Sequence, residues 1–322
     1  MFEKICNELN LGKVIELNNV LGGITNQMYK VITTKGTYAV KIINKNRFKD
    51  SINLLDEIEN SEVIANIASK NGVNAVCALE FNGRYIQQID NYYFLIYDWI
   101  PGKIKLTKEI NLENVRAVAY QQALLHQINV NDFNFNNKIE KYKFNDYEKY
   151  YDLLKNRNEQ YLAVFKQKYE EFIKMYKNIY DNYLKLNEKL VFAHRDLNRK
   201  NIIWNNEVPY IIDWETAKLS YPSIDFFNSI WFLSNDVEEN KFYEYAKTYL
   251  SNNDINIENG VYAGIIEECN WLYFSLSRLF SNDPNEVQLG ITSIESSLKE
   301  IFNYYNNIPL MLKLLKSITK NH

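Results

Sequence analysis

Apolar positions in the first hundred residues come in short runs separated by turn formers. Residues 30–34 and 37–43 flank Lys35-Gly36, which predicts two strands joined by a tight hairpin. Leu54, Leu55, Ile58, Ile64, Ile67 and Ala68 recur at helical spacing and stop at Asn71-Gly72, so residues 54–70 read as one helix. Residues 84–89 and 92–99, parted by Asp90-Asn91, read as two further strands. Seven of the ten glycines fall by residue 102, and neither Gly nor Pro occurs between residues 103 and 208. The first third is therefore turn-rich and strand-like and the remainder of the chain largely helical, with Pro101-Gly102 as the break. Residues 112–128 carry an apolar helical stripe. The tyrosine-rich stretch 146–189 also reads as helix, interrupted near residue 157. Its apolar positions are irregular against a heptad, which favours packing within one lobe over a coiled coil.

Composition narrows the class. A chain of 322 residues, 46% hydrophobic and 24% charged, has the balance of a soluble globular protein. A net charge of −3 argues against a nucleic-acid-binding surface. No apolar run approaches the length of a membrane span, and residues 1–13 lack the apolar core of a secretory signal, so a cytoplasmic location is expected. Cys6, Cys77 and Cys269 are too widely spaced to suggest disulfides or a zinc site. The 25 tyrosines, with abundant Asn, Lys and Ile, fit codon bias and say nothing about function.

Chemistry concentrates in residues 191–215. His194-Arg195-Asp196 opens a loop, Asn201 follows Asp196 by five residues, and Asp213 lies twelve beyond Asn201. Between them Ile202-Ile203-Trp204, the turn formers Asn205-Asn206-Glu207, and residues 208–212 predict a hairpin. Such a hairpin lets Asn201 and Asp213 converge on one cation while Asp196 faces an acceptor. Those residue types suit phosphoryl transfer, where catalysis is mostly charge neutralisation and alignment. Mg²⁺ takes hard oxygen ligands and keeps several waters, so one amide oxygen and one carboxylate suffice. Asp196 then serves as the base that orients the attacking hydroxyl.

Upstream, Gly22, Gly23, Thr25 and Asn26 form a glycine-led turn of the kind whose backbone amides attract phosphates. Lys41 interrupts an apolar strand and is placed to reach a triphosphate. Glu59 and Glu62 lie three apart on one helical face; either could hold Lys41, with Glu59 slightly favoured.

His194-Arg195-Asp196-Leu197 with Asn201, and Ala39-Val40-Lys41-Ile42, resemble the catalytic loop and phosphate-binding strand of protein kinases. Asp213-Trp214-Glu215 stands where those carry Asp-Phe-Gly, and no Ala-Pro-Glu comes after it. Gly22-Gly23-Ile24-Thr25-Asn26, the loop 194–201, Ile212-Asp213-Trp214-Glu215 and Asp225 together resemble the aminoglycoside phosphotransferase and choline kinase superfamily. The resemblance covers about residues 15–230. It implies a two-lobed, protein-kinase-like α+β fold with a small antiparallel N-terminal sheet carrying one helix. On this reading residues 1–98 form the nucleotide-binding lobe, and residues 99–322 a larger helical lobe with the catalytic loop and acceptor site. ATP (or GTP) with Mg²⁺ is the implied cofactor pair, adenine meeting the backbone of a connector that includes Tyr97, Asp98 and Ile100. His194, His126 and Asp225 are expected to be structural, Asp225 bracing the catalytic loop.

The acceptor is expected to be a small cationic alcohol, because Glu267, Glu268 and Trp271 offer charge pairing and cation–π contact. An aminoglycoside is favoured over choline, ethanolamine or another metabolite. A protein kinase and a non-catalytic nucleotide-binding scaffold are the remaining readings.

Overall fold

The computed structural model describes residues 1–20, 26–44, 53–133, 141–235 and 237–319. The chain divides into two compact units: Met1–Glu109 with Arg199–Lys218, and Ile110–Asn198 with Leu219–His322.

The first unit is built on an antiparallel sheet. Strands β1 (Val14–Val20), β2 (Gln27–Thr33), β3 (Thr37–Ile42), β4 (Gln87–Ile89) and β5 (Tyr92–Asp98) stand in the order β1-β2-β3-β5-β4. The edge strand β1 exposes Glu16, Asn18 and Asn19, polar residues that discourage pairing with another chain. Period-two alternation sorts the side chains. Val31, Val40, Ile42, Phe94 and Ile96 pack with Ile5 and Cys6 of helix α1 (Phe2–Glu8). Leu95 faces the other way, into a cluster with Leu54 and Ile58 of helix α2 (Leu54–Lys70). Helix α2 matches the expected span. It ends at Asn71, where Gly72 takes φ +89° and turns the chain out of the helix. Strand β4 starts three residues later than expected, because the amides of Tyr85 and Ile86 donate to the Glu59 carboxylate instead of to a strand.

The predicted hairpin forms between Ile202–Asn205 and Val208–Ile211, with Asn206 and Glu207 both at positive φ in the turn. It groups with the first unit although the boundary expected from sequence fell at residue 98. Backbone hydrogen bonds explain this: Ile211 pairs with Asn74 and Val76, and Trp204 exchanges two bonds with Lys103. A Cβ on Gly102 would lie 2.5 Å from the Trp204 carbonyl oxygen, so this close approach requires glycine.

The second unit is mainly helical: α3 (Leu112–Gln127), α4 (Tyr147–Leu154), α5 (Ala163–Tyr183), α6 (Pro222–Leu233), α7 (Glu239–Leu250), α8 (Ile257–Ala263), α9 (Ile266–Arg278) and α10 (Pro284–Thr319). Asn111 and Asn114 cap α3 reciprocally. The stretch 146–189 breaks into α4 and α5 around residue 157, as its pattern predicts. Its tyrosines are core material: Tyr147 and Tyr176 are fully buried and meet edge-on at 4.9 Å. Among the described residues, no helix is long and apolar enough to cross a membrane.

Candidate active site

Alternation along β3 decides where Lys41 points. Its neighbours Val40 and Ile42 face α1, so Lys41 faces the α2 side, opposite Leu95 of β5. There its Nζ lies 2.7 Å from Asp213 Oδ1 and 2.5 Å from Glu215 Oε1. Burial alone disfavours the ammonium, but Glu215 and Asp213 outweigh it and raise the lysine's pKa above the ordinary value. Asn26 Nδ2 donates to the same Glu215 oxygen at 2.7 Å, and Asn26 Oδ1 accepts from the Asn44 amide at 3.1 Å. Between the two carboxylates Trp214 is buried and anchored by Nε1 to the Ile211 carbonyl. Asp213 itself adopts φ 62°, ψ 60°, and its side chain stays 44% exposed while that of Glu215 is 10% exposed. The exposed carboxylate is thus presented by a turn whose next side chain is sunk in the core.

Lys41 was expected to pair with Glu59 or Glu62; its direct contacts are with Asp213 and Glu215, while Glu62 feels its charge without touching it. Glu59 accepts from two backbone amides at the start of β4. Glu62, in the buried stripe of α2 with Ile58 and Ala65, accepts from the Ala78 amide at 2.8 Å and from the Tyr97 hydroxyl at 2.6 Å. Tyr97 reaches it because it lies two residues beyond Leu95, on the same face of β5. Burial pushes the Glu62 carboxyl up to about 7, against the opposing pull of the Tyr97 hydroxyl, the Ala78 amide and the nearby charge of Lys41.

At the base of the hairpin the Ile212 amide donates to the Asn201 carbonyl at 3.0 Å, so Asn201 and Asp213 flank the same end. Asn201 is 3% exposed. Among the described residues no group of three or more His, Cys, Asp or Glu side chains could cage a metal. One amide oxygen and one carboxylate are nevertheless the donor set that suits Mg²⁺, whose other ligands are water and phosphate oxygens.

In the second unit the loop that carries Asp196 is held from several sides. The Asp196 amide donates to His194 Nδ1 at 3.3 Å, and Asn198 Nδ2 donates to Asp196 Oδ1 at 2.5 Å. Buried Asp225, in the first turn of α6, accepts the Arg195 amide at 2.6 Å on one oxygen. Its other oxygen receives Gln122 Nε2 at 2.8 Å and lies 3.0 Å from His126 Nε2. Burial pushes the Asp225 carboxyl up, yet these hydrogen bonds prevail and hold it below the usual range. His126 Nδ1 lies 2.5 Å from the Tyr249 hydroxyl, which makes it a satisfied core histidine.

Of the three acceptor candidates on α9, Glu267 is engaged within the protein. Its Oε1 accepts from Arg195 Nε at 2.6 Å and from the Tyr142 hydroxyl. Glu268 is half-buried, and Trp271 is 37% exposed with the Arg278 guanidinium 4.8 Å from its ring. In the connector, the Trp99 amide is spent on the Thr37 carbonyl at 3.0 Å, whereas Asp98 is exposed and Ile100 half-buried. Gly22, Gly23 and Thr25 lie outside the described residues. Sequence reading left Glu215 without a settled role and passed over Tyr142 and Gln122. An isolated Tyr or Gln in a helical stretch carries no signal of its eventual partner.

The model of the phosphotransferase enzyme family matches residues 16–257. No curated protein sequence matches the chain. Solved structures share its fold at low identity. A spectinomycin phosphotransferase, crystallised with ADP and spectinomycin, superposes with a TM-score of 0.70 at 14% identity, covering 94% of this chain and 97% of its own. The choline kinase LicA of Streptococcus pneumoniae gives 0.61 at 17%, covering 94% and 99%. An amicoumacin kinase bound to AMP-PNP, Ca²⁺ and its antibiotic gives 0.60 at 13%, covering 92% of each chain. The fold is therefore the kinase-like α+β fold expected from the sequence. With well over half its length matched, the chain belongs to the phosphotransferase enzyme family.

Proposed function

We propose that the chain transfers the γ-phosphoryl group of ATP, with Mg²⁺, to a hydroxyl of a small amine-bearing molecule. The observation that carries this reading is the ion-paired Lys41, kept charged between Asp213 and Glu215. An obligate cation on a strand face, backed by a buried carboxylate, is suited to meet phosphate oxygens. Glu215 and Asn26 orient Lys41; Gly22, Gly23 and Thr25 complete the nucleotide loop, and the backbone of Tyr97, Asp98 and Ile100 receives the base. Asn201 and Asp213 would hold the metal. When bound, Mg²⁺ neutralises charge on the transferring phosphate oxygens.

Asp196 accepts the hydrogen bond of the acceptor hydroxyl and takes its proton as the oxygen attacks phosphorus. The Asn198 amide donates to Oδ1, which fixes the carboxylate's rotation. Glu268 and Trp271 remain the α9 groups for an amine, since Glu267 is committed to Arg195. The named substrates of two structural relatives, spectinomycin and choline, are nitrogen-bearing alcohols, which supports the same class here.

A panel of spectinomycin, other aminocyclitol and aminoglycoside antibiotics, choline and ethanolamine, incubated with Mg-ATP and followed by ADP release and phosphorus NMR, tests the assignment. A phosphomonoester on an amine-bearing alcohol is expected. Transfer confined to neutral or acidic alcohols removes the amine from the account.

A further inference from the structure

Arg195 immediately precedes the proposed base, and its backbone is the unusual feature of the loop. It sits at φ +66°, a left-handed conformation that is strained for a non-glycine residue. One restraint is on the backbone, the hydrogen bond from its amide to the Asp225 carboxylate. The others are on the guanidinium. Nε donates to Glu267 Oε1 at 2.6 Å, a terminal nitrogen donates to the Tyr142 hydroxyl at 2.9 Å, and that hydroxyl in turn donates to Glu267. Arg195 and Glu267 side chains are each only 19% exposed, so the pair is largely withdrawn from water. The guanidinium also lies 5.7 Å from the Tyr142 ring centroid.

Tyr142 is itself fixed. Its amide donates to the Tyr183 hydroxyl at 3.1 Å, its carbonyl accepts from the Tyr180 hydroxyl at 3.2 Å, and its ring meets that of Tyr183 edge-on at 5.2 Å. Both supporting tyrosines are on α5, whereas Glu267 is in the first turn of α9. Two helices far apart in sequence therefore converge on one side chain of the catalytic loop.

We propose that Glu267 and Tyr142 are positioning residues for Asp196, acting through Arg195: they clamp its guanidinium and so hold the left-handed turn that aims the next carboxylate. This rests on the proposed role of Asp196 as the base, and it removes Glu267 from acceptor binding. The clamp is needed because the residue is not glycine. A glycine at position 195 reaches the same φ without strain and has no guanidinium to bury, so it makes the clamp redundant.

The test is a double-mutant cycle on the full chain, read by acceptor-independent hydrolysis of Mg-ATP, with thermal unfolding to confirm that each variant is folded. Glu267→Ala is expected to lower kcat by about ten- to a hundredfold, the scale of a small misplacement of a catalytic group, with the KM for ATP within about twofold of wild type. Arg195→Gly is expected to suppress that loss: adding Glu267→Ala to it costs less than about twofold more, because coupled residues are non-additive. Tyr142→Phe, which deletes one hydroxyl, gives a smaller loss that Arg195→Gly also suppresses; this variant carries the test if Glu267→Ala does not fold. Unaltered kcat in Glu267→Ala or Tyr142→Phe, or losses that simply multiply with Arg195→Gly, overturn the proposal. Asp196→Asn, run alongside, separates the two claims. If it hydrolyses ATP like the wild type, the role of Asp196 fails; if it is inactive while the clamp variants are normal, only the clamp fails.

Discussion

Lys41 and Asp213, 172 residues apart in the chain, meet in a 2.7 Å ion pair. The strand supplies a cation whose neighbours face the opposite core, and the hairpin supplies a carboxylate exposed beside a buried Trp214. Glu215 completes the arrangement from the inner side. This ties the nucleotide lysine and the metal carboxylate of the proposed mechanism into one unit of structure.

Lys41→Met keeps most of the side chain's volume and removes its charge. Loss of one preorganised charge from a phosphoryl site predicts a fall in kcat/KM for ATP of about 10²-fold or more. The same change removes the Lys41 ion pair from the nearly buried Glu215, so the urea midpoint should fall as well. Steady-state kinetics and urea titration of the same preparation check both; wild-type kinetics would take Lys41 out of the site.

Asp213→Ala should abolish the Mg²⁺-dependent part of nucleotide binding, since the metal loses its carboxylate. Calorimetric titration with ATP is expected to give equal affinities with Mg²⁺ and with EDTA in this variant, and unequal ones in the wild type. A retained difference would assign the metal to other residues.

Glu62 predicts a particular pH dependence of stability. Its carboxyl is raised to about 7 in the folded chain by burial, from 4.5. Between those values the folded protein holds a proton that the unfolded chain has released, so this group's effect becomes less favourable as pH rises through the window. The full penalty, on the order of 3 kcal/mol, is reached above about pH 7. Glu62→Gln removes the ionisation. Urea unfolding from pH 4.5 to 8 should therefore show the variant gaining on the wild type as pH increases; parallel curves would contradict the raised value.

Asp225→Ala leaves the Arg195 amide, Gln122 and His126 without their common acceptor. Breaking such a buried network costs about 3–5 kcal/mol. Burial alone would raise this carboxyl's pKa, but hydrogen bonding wins and depresses it. The stability it contributes is therefore present above the ordinary Asp range, near pH ~4, and is lost as pH falls below it. Chemical denaturation at pH 7 and at pH 3 should show a large difference between wild type and variant at the first and a reduced one at the second.

Much of this architecture was legible in the chain because the signals are local. The period and stop of residues 54–70, the Lys35-Gly36 hairpin and the turn at Asn205-Asn206-Glu207 each depend on neighbours in sequence. Partner choice was less legible. Helical spacing puts Glu59 and Glu62 on one face, but backbone amides of residues 78, 85 and 86 claim both carboxylates first. The grouping of the hairpin with the first unit rests on backbone bonds to residues 74, 76 and 103, which leave no mark on side-chain pattern. Glu267 reads as an acceptor ligand because an acidic helix face beside a tryptophan suggests a cation; the fold gives it an internal partner, Arg195, 72 residues away, which side-chain pattern does not announce.

The proposed role of Asp196, as the base in phosphoryl transfer from a bound nucleotide, is read directly by one substitution. Asp196→Asn preserves size and the backbone bond to His194 while removing the carboxylate's basicity. Mg-ATP affinity by calorimetry is expected to stay within about threefold of wild type, while turnover falls by the ~10²–10⁴-fold typical of a lost general base. Turnover at the wild-type rate in that variant would contradict the account.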